Sequence, residues 1–304
     1  MVFLLSEEER RLVLRKLLPQ ARRREVHPEL RGWSWSDPPV APAYEVPLGV
    51  SEVASRYCSR GRDLFLRRVE GVKVGPSGVM VEGRVLHDAV VEQWEAAVRL
   101  IYGTPVERVM ERLDRGLAEV SVRVEVGLEG EALREVQRKV GLLAAFEHHR
   151  IVSRVGEVLA RQPRVGASGL AALALPVAVE LPLDGRLLGL SSHLRADGVT
   201  LFAPMVVDLK FGGRRDFHRL STTGYAMVME SLHECPVDLG CVSYVGFEGE
   251  RVRLERDIHL IDDEMRQWFL EERDERMRMV SEGIDPGRGE ECPEWCGYRV
   301  ACWG

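Results

Sequence analysis

The sequence predicts a mixed α/β (α+β) protein on three observations. Apolar residues recur at helical spacing through the first half; from about residue 177 to 260 the pattern changes to short apolar runs of strand type; and a charged helix then leads into a cysteine-rich tail. With 304 residues and a hydrophobic fraction of 45%, the chain can bury a sizeable core as one large domain with insertions or as two modest ones.

In chain order, Ser6 followed by Glu9 forms a capping box, and a helix is expected from there to about Arg24, bent at Pro19. Residues 27–47, rich in proline and tryptophan, read as an ordered arm without regular structure. A helix over 51–69 carries Arg56, Arg60, Arg62, Arg67 and Arg68. It is either a phosphate-binding face or a solvated face paired with acidic neighbours. Gly83 opens a helix that runs to about Tyr102 and stops at Gly103. Helices continue over 104–162 with a break at 126–130, followed by an Ala/Leu/Gly-rich link over 165–175. Strands are expected at 177–183, 187–190 and 205–210, then a helix over 217–232, strands near 241–247 and 252–260, and a final helix over 262–282. This divides the chain into an N-terminal helix and arm (1–50), a core (51–260) with a helical insertion at about 104–165, and a C-terminal helix with a cysteine tail (261–304).

No run of about 18 apolar residues exists, and the N-terminus turns acidic after five residues, so a cytoplasmic protein without membrane contact is expected. The formal charge of −6 gives no overall attraction to nucleic acid, which leaves any such contact to a local basic track. Of 42 basic residues only Lys16, Lys73, Lys139 and Lys210 are lysine, so a lysine directly after Asp208-Leu209 stands out.

Two groups of residues carry chemistry. Cys292, Cys296 and Cys302, separated by three and five residues, can converge on one tetrahedral or cubane centre, and Cys58 is the best candidate for the open position. Cys235 and Cys241, in more apolar settings, read as ordinary buried thiols. Separately, the eleven-residue offset between Asp197 and Asp208 suits a hairpin that brings both carboxylates to one rim of a sheet. Asp208 and Lys210 then share a face. Hard cations take carboxylate oxygens, and His87 offers an imidazole, so a metal-dependent nuclease is suggested.

The stretches Glu29-Leu-Arg-Gly-Trp-Ser-Trp35, Leu48-Gly-Val-Ser-Glu-Val-Ala-Ser-Arg-Tyr-Cys58, Gly61-Arg-Asp, Arg195-Ala-Asp197, Val207-Asp-Leu-Lys210 and Gly224-Tyr225-Ala together span nearly the whole chain. With them the sequence resembles the RecB-like nucleases of the PD-(D/E)XK superfamily. Within that group it is most similar to the iron–sulfur branch among the CRISPR-associated proteins, the fourth core Cas family in its archaeal Apern-type (type I-A) variant. The resemblance implies a restriction-endonuclease-like core and a C-terminal clasp in which Cys58, Cys292, Cys296 and Cys302 hold a 4Fe–4S cluster. It further implies Mn²⁺ or Mg²⁺ on His87, Asp197, Asp208 and the carbonyl of Leu209, with Lys210 catalytic and Tyr225 matching the tyrosine of a Gln-x-x-x-Tyr motif. Ser221 stands where that motif has glutamine. The implied activity is trimming of DNA ends before spacer integration, together with the adaptation integrase. Single-stranded ends would thread along Arg56 to Arg68 and Arg214, Arg215 and Arg219, with Trp33 or Trp35 available to stack. A non-catalytic DNA-binding subunit of the adaptation complex is the competing reading, and a cysteine-bound zinc module without a DNA role is a third.

Overall fold

The structure is a computed structural model describing residues 1–122, 128–200, 202–289 and 292–303. The capping box forms as the sequence requires, with Ser6 and Glu9 bonding each other's backbone amides at the start of α1 (Glu7–Leu12). A π turn (Val13–Leu17) separates it from α2 (Leu18–Arg24). Pro19 has no amide to offer the carbonyl of Arg15, and the wide turn before it absorbs the change of register. The arm that follows holds two 3₁₀ turns, Pro28–Leu30 and Gly32–Ser34, and is otherwise irregular.

The helix expected over 51–69 is two helices, α3 (Val50–Ala54) and α4 (Arg62–Arg68). Ser55 leaves the helix in an extended conformation, and Gly61 starts the next one from a left-handed φ of +70°. A Cβ at Gly61 would lie 2.7 Å from Nη1 of Arg276. The long α5 (Gly78–Gly103) begins ahead of Gly83, where Ser77 caps it by accepting from the amide of Met80. α6 (Val109–Ala118) and α7 (Gly130–Arg161) follow; of the expected break at 126–130, residues 126 and 127 lie outside the described residues. The supposed link is a short helix, α8 (Ala167–Ala174), whose small residues let it pack closely.

One five-stranded sheet is built from β1 (Val177–Leu183), β2 (Leu194–Thr200), β3 (Met205–Lys210), β4 (Leu239–Glu248) and β5 (Arg251–Leu260), in that spatial order. Only β3 and β4 run parallel, and α9 (Arg219–His233) makes the crossover between them. The strand expected at 187–190 is instead a 3₁₀ turn, Arg186–Leu188, with Leu190 in an isolated bridge to Leu48. α10 (Asp263–Glu282) and α11 (Arg299–Trp303) close the chain.

Alternation along β3 divides the core. Met205, Val207 and Leu209 join the apolar cluster of α5 to α8, whereas Val206 joins the cluster of α3, α4, α9 and α10. The arm is fixed by buried charge. Glu230 of α9, with no exposed surface, accepts from Arg266 at 2.6 and 2.9 Å, from Arg31 at 2.7 Å and from the amide of Gly32 at 2.9 Å. Gly32 is obligatory there, since a Cβ would come within 1.9 Å of the carbonyl oxygen of Met227.

Candidate active site

Three acids stand in a row across three strands. Val179 pairs with Gly198 and Leu181 with Ala196, which sets Glu180 opposite Asp197; one step beyond the Gly198–Val207 pair, Asp197 stands opposite Asp208. His87 reaches over from α5, its Nε2 3.5 Å from both Glu180 Oε1 and Asp197 Oδ1. Both contacts lie at the outer limit of hydrogen bonding, and the buried Nε2 has no short hydrogen-bond partner. Among the described residues, His87, Glu180 and Asp197 are the one set offering three ligand atoms mutually within 4.8 Å.

Glu180 has no counterpart in the expectations from sequence. Its backbone sits at φ +50°, a left-handed conformation that costs a non-glycine residue energy and that surrounding structure must enforce. An acid in the middle of the apolar strand Val177-Ala-Val-Glu-Leu-Pro-Leu183 was the available signal.

Asp208 faces the same cleft with a different partner. Lys210 Nζ lies 3.0 and 2.7 Å from its two oxygens, as the i, i+2 spacing on β3 requires. Asp197 Oδ2 accepts from the amide of Leu209 at 2.7 Å. His87, Asp197, Asp208, Leu209, Lys210, Ser221 and Tyr225 all line this one cleft, the last two from the first half of α9.

Burial and the neighbouring Asp197 raise the Asp208 carboxyl to about 6, against the pull of Lys210. Asp197 is itself held below its usual range, because His87 and Lys210 outweigh the cost of its burial. The Lys210 ammonium is likewise favoured, since Asp208 and Asp197 overcome its desolvation. Burial pushes the Tyr225 phenol up, reinforced by Asp197 and Asp208, so it remains a proton donor.

The basic track is largely occupied. Arg56 pairs with Glu272, Arg62 with Asp285 at 2.8 Å, and Arg67 and Arg68 with Glu52 at 2.6 and 2.7 Å. Arg60 donates to the carbonyl of Pro286. Arg214 and Arg219 share Asp257. Arg215 is exposed and pairs with no acid among the described residues. Trp33 stacks under Arg31 in the arm, and neither it nor Trp35 lines the cleft.

Cys58, in the loop between α3 and α4, and Cys292, Cys296 and Cys302 line a second cavity with Tyr57 and Trp295. All four are free thiols, and among the described residues no three cysteine sulfurs lie mutually within 4.8 Å. Cys241 is buried as expected, whereas Cys235 is exposed, because it follows the helix end at Glu234, where the chain turns outward.

The molecule is thus a mixed α/β protein whose central strands carry a cleft of carboxylates, an imidazole and a lysine. The family model of the CRISPR-associated exonuclease Csa1 matches residues 1–304, and the chain belongs to that family. A CRISPR-associated exonuclease Csa1 of Thermoproteus tenax is 32% identical over 280 residues, covering 91% of this chain and 92% of the relative. That of Saccharolobus solfataricus is 30% identical over 282 residues, with 91% and 92% covered. No helix among the described residues is long and apolar enough to cross a membrane.

Proposed function

We propose that this chain is a metal-dependent deoxyribonuclease that trims DNA ends, single-stranded by preference, in the cytoplasm, working with the CRISPR adaptation integrase before spacers are inserted. The observation that carries the reading is the row Glu180, Asp197 and Asp208 with His87 above it and Lys210 beside it. A non-catalytic protein has no reason to oppose three carboxylates and leave a buried imidazole nitrogen without a short hydrogen-bond partner.

The donor set fits a hard divalent cation, Mn²⁺ or Mg²⁺: carboxylate oxygens of Asp197, Asp208 and Glu180, Nε2 of His87, and the Leu209 carbonyl. Bound there, the ion would polarise a phosphate and make water a better nucleophile. The protein's own part follows from its geometry. Lys210, kept protonated by Asp208, places an ammonium where negative charge grows on the phosphate. Tyr225 offers a phenol hydrogen to a phosphate oxygen, and the Leu209 amide fixes the Asp197 carboxylate.

The cysteine cavity suits a 4Fe–4S cluster. Four cysteines around one cavity can supply the four thiolates such a cluster takes, and the likeness of the sequence to the iron–sulfur nucleases favours it over zinc, which the same residues could also bind. Held by Cys58 and the tail, the cluster would be structural, closing a long loop onto the nuclease core.

The test is incubation of cluster-replete protein with end-labelled single-stranded DNA and Mn²⁺, beside folded Asp208→Ala and Lys210→Ala variants. Cleavage by wild type alone is expected. Equal inertness of all three, with DNA still bound, would give the scaffold reading precedence, in keeping with Ser221 at the glutamine position.

A further inference from the structure

Two aromatic rings, Tyr57 and Trp295, line the cysteine cavity. Tyr57 precedes Cys58 and lies edge-on to Trp295, which sits between Cys292 and Cys296, with ring centroids 5.0 Å apart at 78°. Phe217 buttresses Tyr57 from behind at 5.0 Å and 87°. Both outer rings face solvent, Tyr57 being 40% and Trp295 39% exposed, although rings this large are ordinarily packed away or covered.

The Tyr57 ring is held in place by a directed hydrogen-bond chain. His218, 3% exposed, lies between two phenols, with Nε2 2.9 Å from Tyr57 Oη and Nδ1 3.1 Å from Tyr244 Oη. Burial, with Lys210 and Arg215 nearby, brings His218 down to about 4, so it is neutral at pH 7 and carries one N–H. The Tyr244 hydroxyl is directed at the carbonyl of Arg215, 3.5 Å away. The chain therefore runs from the Tyr57 hydroxyl to Nε2, and from the Nδ1 hydrogen to Tyr244. Ordering an exposed ring through a buried histidine gives a preorganised surface, which a simple lid over the cysteines would not need.

The charges beside this surface suit a nucleotide. Two cations, Lys210 and Arg215, and one acid, Asp208, act electrostatically on Tyr57, and Arg215 is exposed in the Phe211-Gly-Gly-Arg-Arg-Asp216 loop that leaves the catalytic strand. A phosphate drawn to Lys210 and Arg215 would leave its neighbouring base beside the two rings.

We propose that Tyr57 and Trp295 form a base-stacking site for single-stranded DNA, holding a nucleobase next to the phosphate that enters the cleft. The proposal rests on the nuclease reading for its substrate, yet it is tested without turnover. The cluster-replete protein is titrated, with no divalent metal added, into fluorescein-labelled oligo-dT and into an abasic strand of the same phosphate number. Wild type should bind oligo-dT on the order of tenfold tighter, the worth of one stacked base. Tyr57→Ala/Trp295→Ala should reduce oligo-dT to the abasic affinity and leave the abasic affinity unchanged, which also shows that the cleft is intact. If the double variant does not fold, the single variants decide: Tyr57→Phe should keep the preference and Tyr57→Leu should weaken it. Equal binding of the two strands by wild type, or a preference that survives loss of both rings, overturns the stacking site. An inert protein that still discriminates keeps the stacking site and discards the nuclease reading.

Discussion

Asp197 Oδ2 accepts a hydrogen bond from the backbone amide of Leu209, 2.7 Å away, so the carboxylate of one strand is fixed by the strand that carries Asp208 and Lys210. Asp197→Ala removes the acceptor of that amide and should cost about 1–3 kcal/mol in urea unfolding. Asp197→Asn keeps an acceptor and should unfold near the wild-type midpoint. Both should lose Mn²⁺ affinity in calorimetric titration, so stability and metal binding separate between the two variants.

Glu180 opposes Asp197 across the β1–β2 pair, and like charges directly opposite are destabilising until a cation joins them. Glu180→Gln should therefore raise the thermal midpoint in EDTA. The same substitution should shrink the extra stability gained on adding Mn²⁺, because that gain follows ligand concentration over Kd. A midpoint in EDTA that falls would contradict the repulsion.

His259 is buried, within 3.0 Å of the Thr222 hydroxyl and of the Asp257 carbonyl, and burial lowers its pKa to about 4. Between pH 6.5 and 4 the unfolded chain therefore binds the proton more readily than the folded one, and stability is lost as pH falls through that window. The full effect is about 3 kcal/mol by linkage. Asp208, raised to about 6, contributes the opposite slope. The informative quantity is thus the difference in urea midpoint between wild type and His259→Gln, which should narrow from pH 7 to pH 4.5.

Glu230 neutralises Arg266 and Arg31 inside the protein. Glu230→Ala leaves two buried guanidinium groups to share Asp238, so one charge is uncompensated, and should destabilise by about 3–5 kcal/mol. Limited proteolysis should then cut within 27–47, since the amide of Gly32 loses its acceptor as well.

Cys58→Ser should lower the iron content of the purified protein and expose residues 283–303 to trypsin. The surface pair Arg62–Asp285 is too weak to hold the tail alone. Full retention of iron would remove Cys58 from the ligand set.

The sequence made β3 legible because Met205 to Lys210 combines an apolar run with terminal charges. β2, Leu194–Thr200, is interrupted by Arg195, Asp197 and Gly198 and was not among the expected strands; only the spacing from Asp197 to Asp208 pointed to it. Glu180 was hidden because its importance lies in register. Nothing local states that position 180 will face position 197, and a left-handed glutamate is not forecast by propensity. The arginines stayed undecided in the sequence for a related reason. Arg67 and Arg68 are adjacent in sequence to other basic residues, while the acid that engages them, Glu52, lies across a loop whose break at Gly61 carries only a single-glycine signal.

α9 has one more consequence. Its C-terminal half is gripped by the arm through Glu230, and its N-terminal half presents Ser221 and Tyr225 to the cleft. Tyr225 and Glu230 are five residues apart, about 7.5 Å along a stiff rod. The helix is in effect a lever with its fulcrum at Gly32. A shift of the arm would swing the tyrosine relative to Lys210, so a segment that does not itself line the cleft is placed to set the width of the cleft.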